Sequence, residues 1–272
     1  MEALRTGLLQ GPRGLPASTR ESLAALEQAA AEAAARGARL LVTDEMFLTG
    51  YALGDAVAEV AEPAGGPAAR HIAGIAARHA VAIVHGYPEL DGDRVHNAAR
   101  LTGPDGSVLA DYRKTHLFGD YERSVFTPGD RPLVQATLDG VRIGLLICYD
   151  VEFPEAVRAH ALAGTELLVV PTALMRPYEF VPETLLPVRA FENGMYIAYV
   201  NRCGPEGDYD FVGGSCLAGP DGVVRARAGA GPELLVADVD LDLLRTTREQ
   251  NPYLTDRRPE LYGSLAARRT AR

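Results

Sequence analysis

Four side chains in this sequence have the types and settings that chemistry needs: Glu45, Lys114, Glu122 and Cys148. Cys148 closes the apolar run VRIGLLI and precedes Tyr149, Asp150 and a helix-like stretch, FPEAVRAHALAG. A thiol on such a strand-to-helix corner is expected to expose its sulfur near unpaired backbone N–H groups, which favour a thiolate and can hold an oxyanion. Glu45 follows the strand-like RLLVT and Asp44, where ligand-facing loops of α/β sheets begin. A carboxylate at the edge of an apolar strand is expected to have a raised pKa, which suits proton transfer near neutral pH. Lys114, in DYRKTHLF, is the only lysine among 27 basic residues; all the others are arginine. Its retention suggests a site where a compact ammonium fits and a planar guanidinium does not. Glu122 lies eight residues further on, in GDYERSVFTPGD.

Taken singly, each of the four has an ordinary reading. A free cysteine is often a small buried hydrophobe. Glu45 alone reads as a solvated acid, Lys114 as a surface cation and Glu122 as a loop acid. Cys203 and Cys216 lack the corner context of Cys148, and neither provides an obvious resolving thiol for a redox pair. Other hydrolytic chemistries lack their signatures. There is no Gly-x-Ser-x-Gly elbow, no His-Glu-x-x-His helix, no Cys-x-x-Cys pair and no phosphate loop ending in Gly-Lys-Ser/Thr.

The elements that must position these groups alternate strand and helix. ALRTGLLQ reads as a strand, followed by a long Ala-rich helix capped by Ser18 or Thr19 and stopped at Gly37. RLLVT, a helix over about Pro67 to His79 and the strand VAIVHGY complete a β-α-β-α-β series, which calls for a layered α/β fold. From Asn97 the chain turns to hairpins. LTGPDGSVLADYR and CLAGPDGVVRARA each carry a Gly-Pro-Asp-Gly turn, an echo that suggests two similar β-rich halves packed face to face with helices outside. Between them lie the Cys148 corner with its helix, the buried strand ELLVVPTA, a helix over Leu185 to Asn193 and the strand MYIAYVN. No linker divides the chain, so residues 1–272 read as one domain, with 255–272 a polar, Arg-rich extension or tail.

Composition limits the partners. The net charge of −9 leaves no electrostatic footprint for nucleic acid. No run approaches the length of a membrane span and no signal peptide is visible at the N-terminus. Three widely spaced cysteines make no disulfide framework, so a reducing cytoplasm is the expected compartment.

Taken together, the pieces DEMFLTGY, YRKTHLF, the Glu122 stretch with FTPG, LLICYDVEFPE and RAFENGMYIAYVN resemble the nitrilase superfamily of carbon–nitrogen hydrolases, over almost the whole chain. The resemblance implies a four-layer αββα sandwich, no metal or organic cofactor, a small-molecule amide substrate and a homo-oligomer, with the helix after Cys148 as a contact. It implies Glu45, Lys114 and Cys148 as catalytic triad and Glu122 as accessory acid. In the mechanism it implies, Glu45 deprotonates the thiol, Lys114 and the Tyr149 N–H hold the oxyanion, and a thioester forms and is hydrolysed. Asp44 stands where the family usually has proline, a position expected to shape the strand end rather than to do chemistry.

Within the superfamily the sequence is most similar to small aliphatic amidases of the 5-aminopentanamidase type, through EMFLTGY, HGYPE, YRKTHLFG, GLLICYDVEFPE, MRPYEF and PYLTDRRPEL. The segment PTALMRPYEF is then a pocket wall, with Thr172, Leu174, Tyr178 and Glu179 as substrate-binding residues. Leu174 replaces the polar residue usual after Pro-Thr-Ala, and Glu179 or Glu183 would face a cationic tail. A nitrilase, an N-carbamoyl amino acid hydrolase, an ω-amidase or a catalytically dead binding protein on the same fold are the alternatives.

Overall fold

The computed structural model describes residues 3–263. Strands β1 (Leu4–Gln10), β2 (Leu40–Val42) and β3 (Ala82–Asp91) run parallel at the centre of a first sheet. Two antiparallel strands, β4 (Arg94–Thr102) and β5 (Val108–Arg113), extend that sheet. Helices α1 (Thr19–Ala35), the short α2 (Val57–Val60) and α3 (Pro67–His79) lie in the connections, and α4 (Gly119–Val125) follows β5. The second half repeats the plan. Strands β6 (Gln135–Leu138), β7 (Val141–Leu145), β8 (Leu167–Thr172) and β9 (Tyr196–Asn201) are joined through α5 (Pro154–Leu162) and α6 (Leu186–Asn193). A small hairpin, β10 (Cys203–Glu206) and β11 (Tyr209–Val212), precedes β12 (Cys216–Ala218) and β13 (Val224–Arg227). Strand β14 (Glu233–Val239) returns to the first sheet beside β1, and α7 (Leu241–Gln250) closes the chain.

The two six-stranded sheets have the orders β14-β1-β2-β3-β4-β5 and β13-β12-β9-β8-β7-β6. In each, three central parallel strands lead into an antiparallel hairpin whose turn is the Gly-Pro-Asp-Gly seen twice in the sequence. The inferred internal repeat is thus a structural one.

Alternation along the strands explains the layering. Leu40 and Val42 of β2, and Ala82 and Val84 of β3, face the second sheet and share a core with Ile143, Leu168 and Ala198. Their neighbours Leu41 and Ile83 face outward onto Leu26, Ala30 and Ala33 of α1 and Ile72 and Ile75 of α3. Both faces are apolar, which is why these strands read as continuous hydrophobic runs. On the far side α5 and α6 cover the second sheet through Val157, Ala161, Leu186 and Ala190. The result is the expected αββα sandwich. Each fully buried leucine or isoleucine adds about 1.5–3 kcal/mol of apolar burial.

Of the predicted helices, the second matches at Pro67–His79 and the first begins after Ser18, whose side chain accepts from Glu21 N. Helices α4 and α7 were not expected; α4 is too short for its periodicity to stand out. Within the tail, residues 255–263 are largely exposed, and the remainder lies outside the described residues. Among the described residues no helix is long and apolar enough to cross a membrane.

Candidate active site

The site forms where the C-terminal ends of β2, β7 and β8 meet between the sheets. Past β2 the chain stays buried as Thr43, Asp44 and Glu45, and the Glu45 N–H donates to Thr172 O at the end of β8, 3.3 Å away. Met46 then takes a left-handed backbone, φ 56°. This bend presses against β3 at Gly86, where any Cβ would lie 2.6 Å from Asp44 O and from Met46 N. Only glycine admits so close an approach.

Glu45, Lys114 and Glu122 converge with no side-chain exposure. Lys114 directly follows β5 and its N–H donates to Asn97 O of β4. Its Nζ donates to Glu45 Oε1 at 2.8 Å and to Glu122 Oε1 at 2.7 Å. An ammonium has three donors, so one remains for a substrate. Glu122 sits on α4 rather than in a loop. Its Oε2 accepts from Phe118 N at 2.7 Å, and its Oε1 also accepts from Tyr51 Oη at 2.8 Å. Asn97 Nδ2 donates to Glu45 Oε1 at 2.6 Å. Glu45 Oε2 has no partner among the described residues, leaving one buried oxygen able to take a proton.

Cys148 does not end a strand. Strand β7 stops at Leu145, Leu146 and Ile147 continue extended, and Cys148 opens a 3-10 turn, Cys148–Glu152, with φ 46°. A non-glycine residue in this region is strained by about 1–3 kcal/mol, and such strain is typical of functional sites. Asp150 anchors the turn. Its carboxylate accepts from Ile147 N, Tyr112 Oη, Thr115 Oγ1 and His116 N.

Two expectations for Cys148 need correction. Its side chain is not exposed: the residue retains 7% of its surface, because the corner is enclosed between the sheets. Nor do its surroundings favour a resting thiolate. Burial, then the Glu45 charge, pushes the thiol well above its usual pKa, against the opposing pull of Lys114 and a hydrogen bond from Ala173 N–H. The thiol is therefore neutral at rest and needs a base. Burial also raises Glu45, as foreseen, with Lys114 opposing and Glu122 reinforcing. Burial alone would lower Lys114, but Glu45 and Glu122 outweigh it and keep the ammonium charged.

Thr172 and Leu174 border this centre. Both are buried, and Leu174 packs in the same core as Cys148. Tyr178 is exposed and meets Phe118 edge-on, with 6.0 Å between ring centroids. Phe118 in turn meets Tyr149 at 5.2 Å, so Tyr149, Phe118 and Tyr178 form an aromatic rim. Glu179 is already engaged in an ion pair with Arg176.

Other residues were not anticipated. Tyr51 and Asp150 lay inside the quoted motifs, so their positions could have been flagged; Asn97 carried no local signal. Glu152 is half-buried in the Cys148 turn, and its side chain has no hydrogen-bond partner among the described residues. Burial raises its pKa, while Lys114 and Arg189 pull the other way.

The αββα fold holds a buried acid–lysine–cysteine cluster as its candidate active site, and the comparisons give its class as a carbon–nitrogen hydrolase. The carbon-nitrogen hydrolase family model matches residues 5–249, and the chain belongs to that family. A hydrolase encoded in the pqqF 5' region of Pseudomonas protegens is 47% identical, over 98% of this chain and 94% of its own length. An (R)-stereoselective amidase from a Pseudomonas species is 41% identical, over 82% and 81%. Among solved structures, a mutant of the Nesterenkonia AN1 amidase of the nitrilase superfamily superposes with a TM-score of 0.86 at 39% identity, covering 96% of this chain and 97% of that one. The protein is accordingly an amide-hydrolysing enzyme.

Proposed function

We propose that this amidase converts a small aliphatic amide to its acid and ammonia through a thioester on Cys148, and that it prefers acyl chains ending in a cation, as in 5-aminopentanamide. One observation carries the catalytic reading: Glu45 is held by Lys114 and Asn97 through one carboxylate oxygen and keeps the other free, in a site where the thiol is neutral and cannot attack unaided. Glu45 takes the thiol proton as sulfur bonds to the carbonyl carbon. The oxyanion is met by the third Lys114 donor and the Tyr149 N–H. Glu45 passes its proton to the leaving nitrogen as the C–N bond breaks, releasing ammonia. Glu45 then deprotonates a water that attacks the thioester, and the collapsing intermediate releases the acid while the proton returns to sulfur. Glu122 and Tyr51 position Lys114 throughout.

The charge of the pocket supports the substrate preference. Glu179, paired with Arg176, is a weaker counter-charge for a cationic tail than Glu152, whose carboxylate makes no ion pair among the described residues although Arg189 donates to its backbone carbonyl. A carboxylate tail, as in an ω-amide of a dicarboxylic acid, would meet Glu152 with like charge. Thr172 and Leu174 would line the acyl chain.

The test is ammonia release from 5-aminopentanamide, neutral short amides, a glutaramate-type ω-amide, an N-carbamoyl amino acid and matching nitriles. Turnover concentrated on short amides, highest with the cationic tail and reduced towards the neutral ones by Glu152→Gln, is the expected result. Activity confined to nitriles or carbamoyl compounds would overturn the substrate class, and a preference for glutaramate would overturn the role of Glu152.

A further inference from the structure

Behind Glu45 lies a second buried charge network that the reaction does not touch. Asp44 retains 1% of its surface and Arg202 3%. Arg202 Nη1 donates to Asp44 Oδ1 at 3.2 Å and approaches Glu45 O at 3.5 Å. Its Nε donates to Glu206 Oε2 at 2.9 Å, and Glu206 Oε1 accepts from Tyr51 N and, at 2.7 Å, from Ala52 N. The Arg202 N–H itself donates to Thr172 O, the same carbonyl that receives the Glu45 N–H. One network therefore clasps the backbone of Glu45, the end of β8 and the loop that carries Tyr51, whose hydroxyl binds Glu122.

The two adjacent acids face two different cations. Glu45 faces Lys114, with Glu122, Cys148 and Tyr51 close by. Asp44 faces Arg202 and Glu206, with Cys203 beside them. Four buried carboxylates, Asp44, Glu45, Glu122 and Glu206, thus share two buried cations, Lys114 and Arg202. Asp44 Oδ2 has no partner among the described residues, so this carboxyl is not fully compensated. A proline here could not pair with Arg202.

We propose that Asp44 is a positioning residue that, through its ion pair with Arg202, fixes the Glu45 backbone and so the direction in which the Glu45 carboxylate meets the reacting thiol. The inference rests on the assignment of Glu45 as base. A base that works by direct proton transfer depends on its approach to the proton it takes, so a shift of this backbone is read as a loss of kcat. Burial pushes the Asp44 carboxyl up to about 7, against the pull of Arg202.

The experiment is steady-state ammonia release, read as kcat and KM separately beside thermal unfolding, for the wild type, Asp44→Asn, Asp44→Pro and Glu45→Gln. Both Asp44 variants should lower kcat by on the order of tenfold to a hundredfold with little change in KM while remaining folded. A wild-type kcat in the folded variants, a loss of rate that only follows the loss of folded protein, or failure of both variants to fold would show that Asp44 serves the fold alone. Glu45→Gln separates the two readings. If it keeps most of its rate, the base assignment fails; if it is inactive while the folded Asp44 variants keep the wild-type kcat, only the inference about Asp44 fails.

Discussion

Replacing Lys114 by arginine preserves the charge of the site and destroys its geometry. In the wild type the ammonium spends two donors on carboxylate oxygens at 2.8 and 2.7 Å and, being tetrahedral, keeps the third directed elsewhere. A guanidinium holds all its donors in one plane, so pairing it with Glu45 and Glu122 leaves no N–H pointing out of that plane at a carbonyl oxygen. Loss of one oxyanion donor is worth roughly 2.7–4 kcal/mol, a fall of about 10²–10³ in kcat. The larger head group must also fit a site with no exposed side-chain surface, and overpacking of this kind costs about 1–3 kcal/mol of stability. For a chain of this size that is a fall in Tm of roughly 2–10 °C. Steady-state ammonia release on a short aliphatic amide measures the first quantity, and thermal unfolding by circular dichroism the second. A folded Lys114→Arg enzyme with kcat within fivefold of wild type would refute the claim that an ammonium is required.

Cys148→Ala should abolish turnover while leaving Tm within a few degrees, because the change removes one buried atom and alters no hydrogen bond of the Asp150 anchor; a mass shift by a thiol-directed probe, blocked by substrate in the wild type and absent in the variant, checks the assignment. Tyr51→Phe removes the hydroxyl 2.8 Å from Glu122 Oε1 and should lower kcat several-fold more than it raises KM; an unchanged kcat would leave Tyr51 a packing residue only. Gly86→Ala should destabilise by roughly 1–3 kcal/mol and reduce kcat, since its Cβ must displace the Asp44–Met46 backbone; urea titration reads the first effect. Stability should also depend on Asp44: its carboxyl is raised from 3.8 to about 7 by burial, so between those pH values the folded state binds the extra proton and stability falls as pH rises. Asp44→Asn should flatten that slope in urea unfolding, and an undiminished slope would place its origin in other groups.

Much of the candidate site was legible because its signals are local. Cys148, Glu45 and Lys114 each follow a strand, and a strand end is visible in a run of apolar residues; the repeated Gly-Pro-Asp-Gly turns betrayed the two-fold plan for the same reason. Glu122 was visible as a residue but not as an element, since α4 spans only seven residues, too few for helical periodicity to separate it from a loop. The exposure and charge state of Cys148 were misjudged because they depend on what closes over the corner. That cover comes from the other sheet and from Glu45, 103 positions away by the numbering.

The amino-acid order by itself determined most of the elements, their pairing into two halves and the reactive side-chain types, because backbone propensity and hydrophobic alternation act over a few residues. Tertiary structure decided the protonation states and the partners. Asn97 reaches Glu45, Tyr51 reaches Glu122 and Arg202 reaches Asp44 only when the two sheets meet. Desolvation at that meeting sets the pKa of Glu45, Cys148 and Asp44. Burial and through-space charge are sums over the whole fold, and no stretch of neighbouring residues contains them.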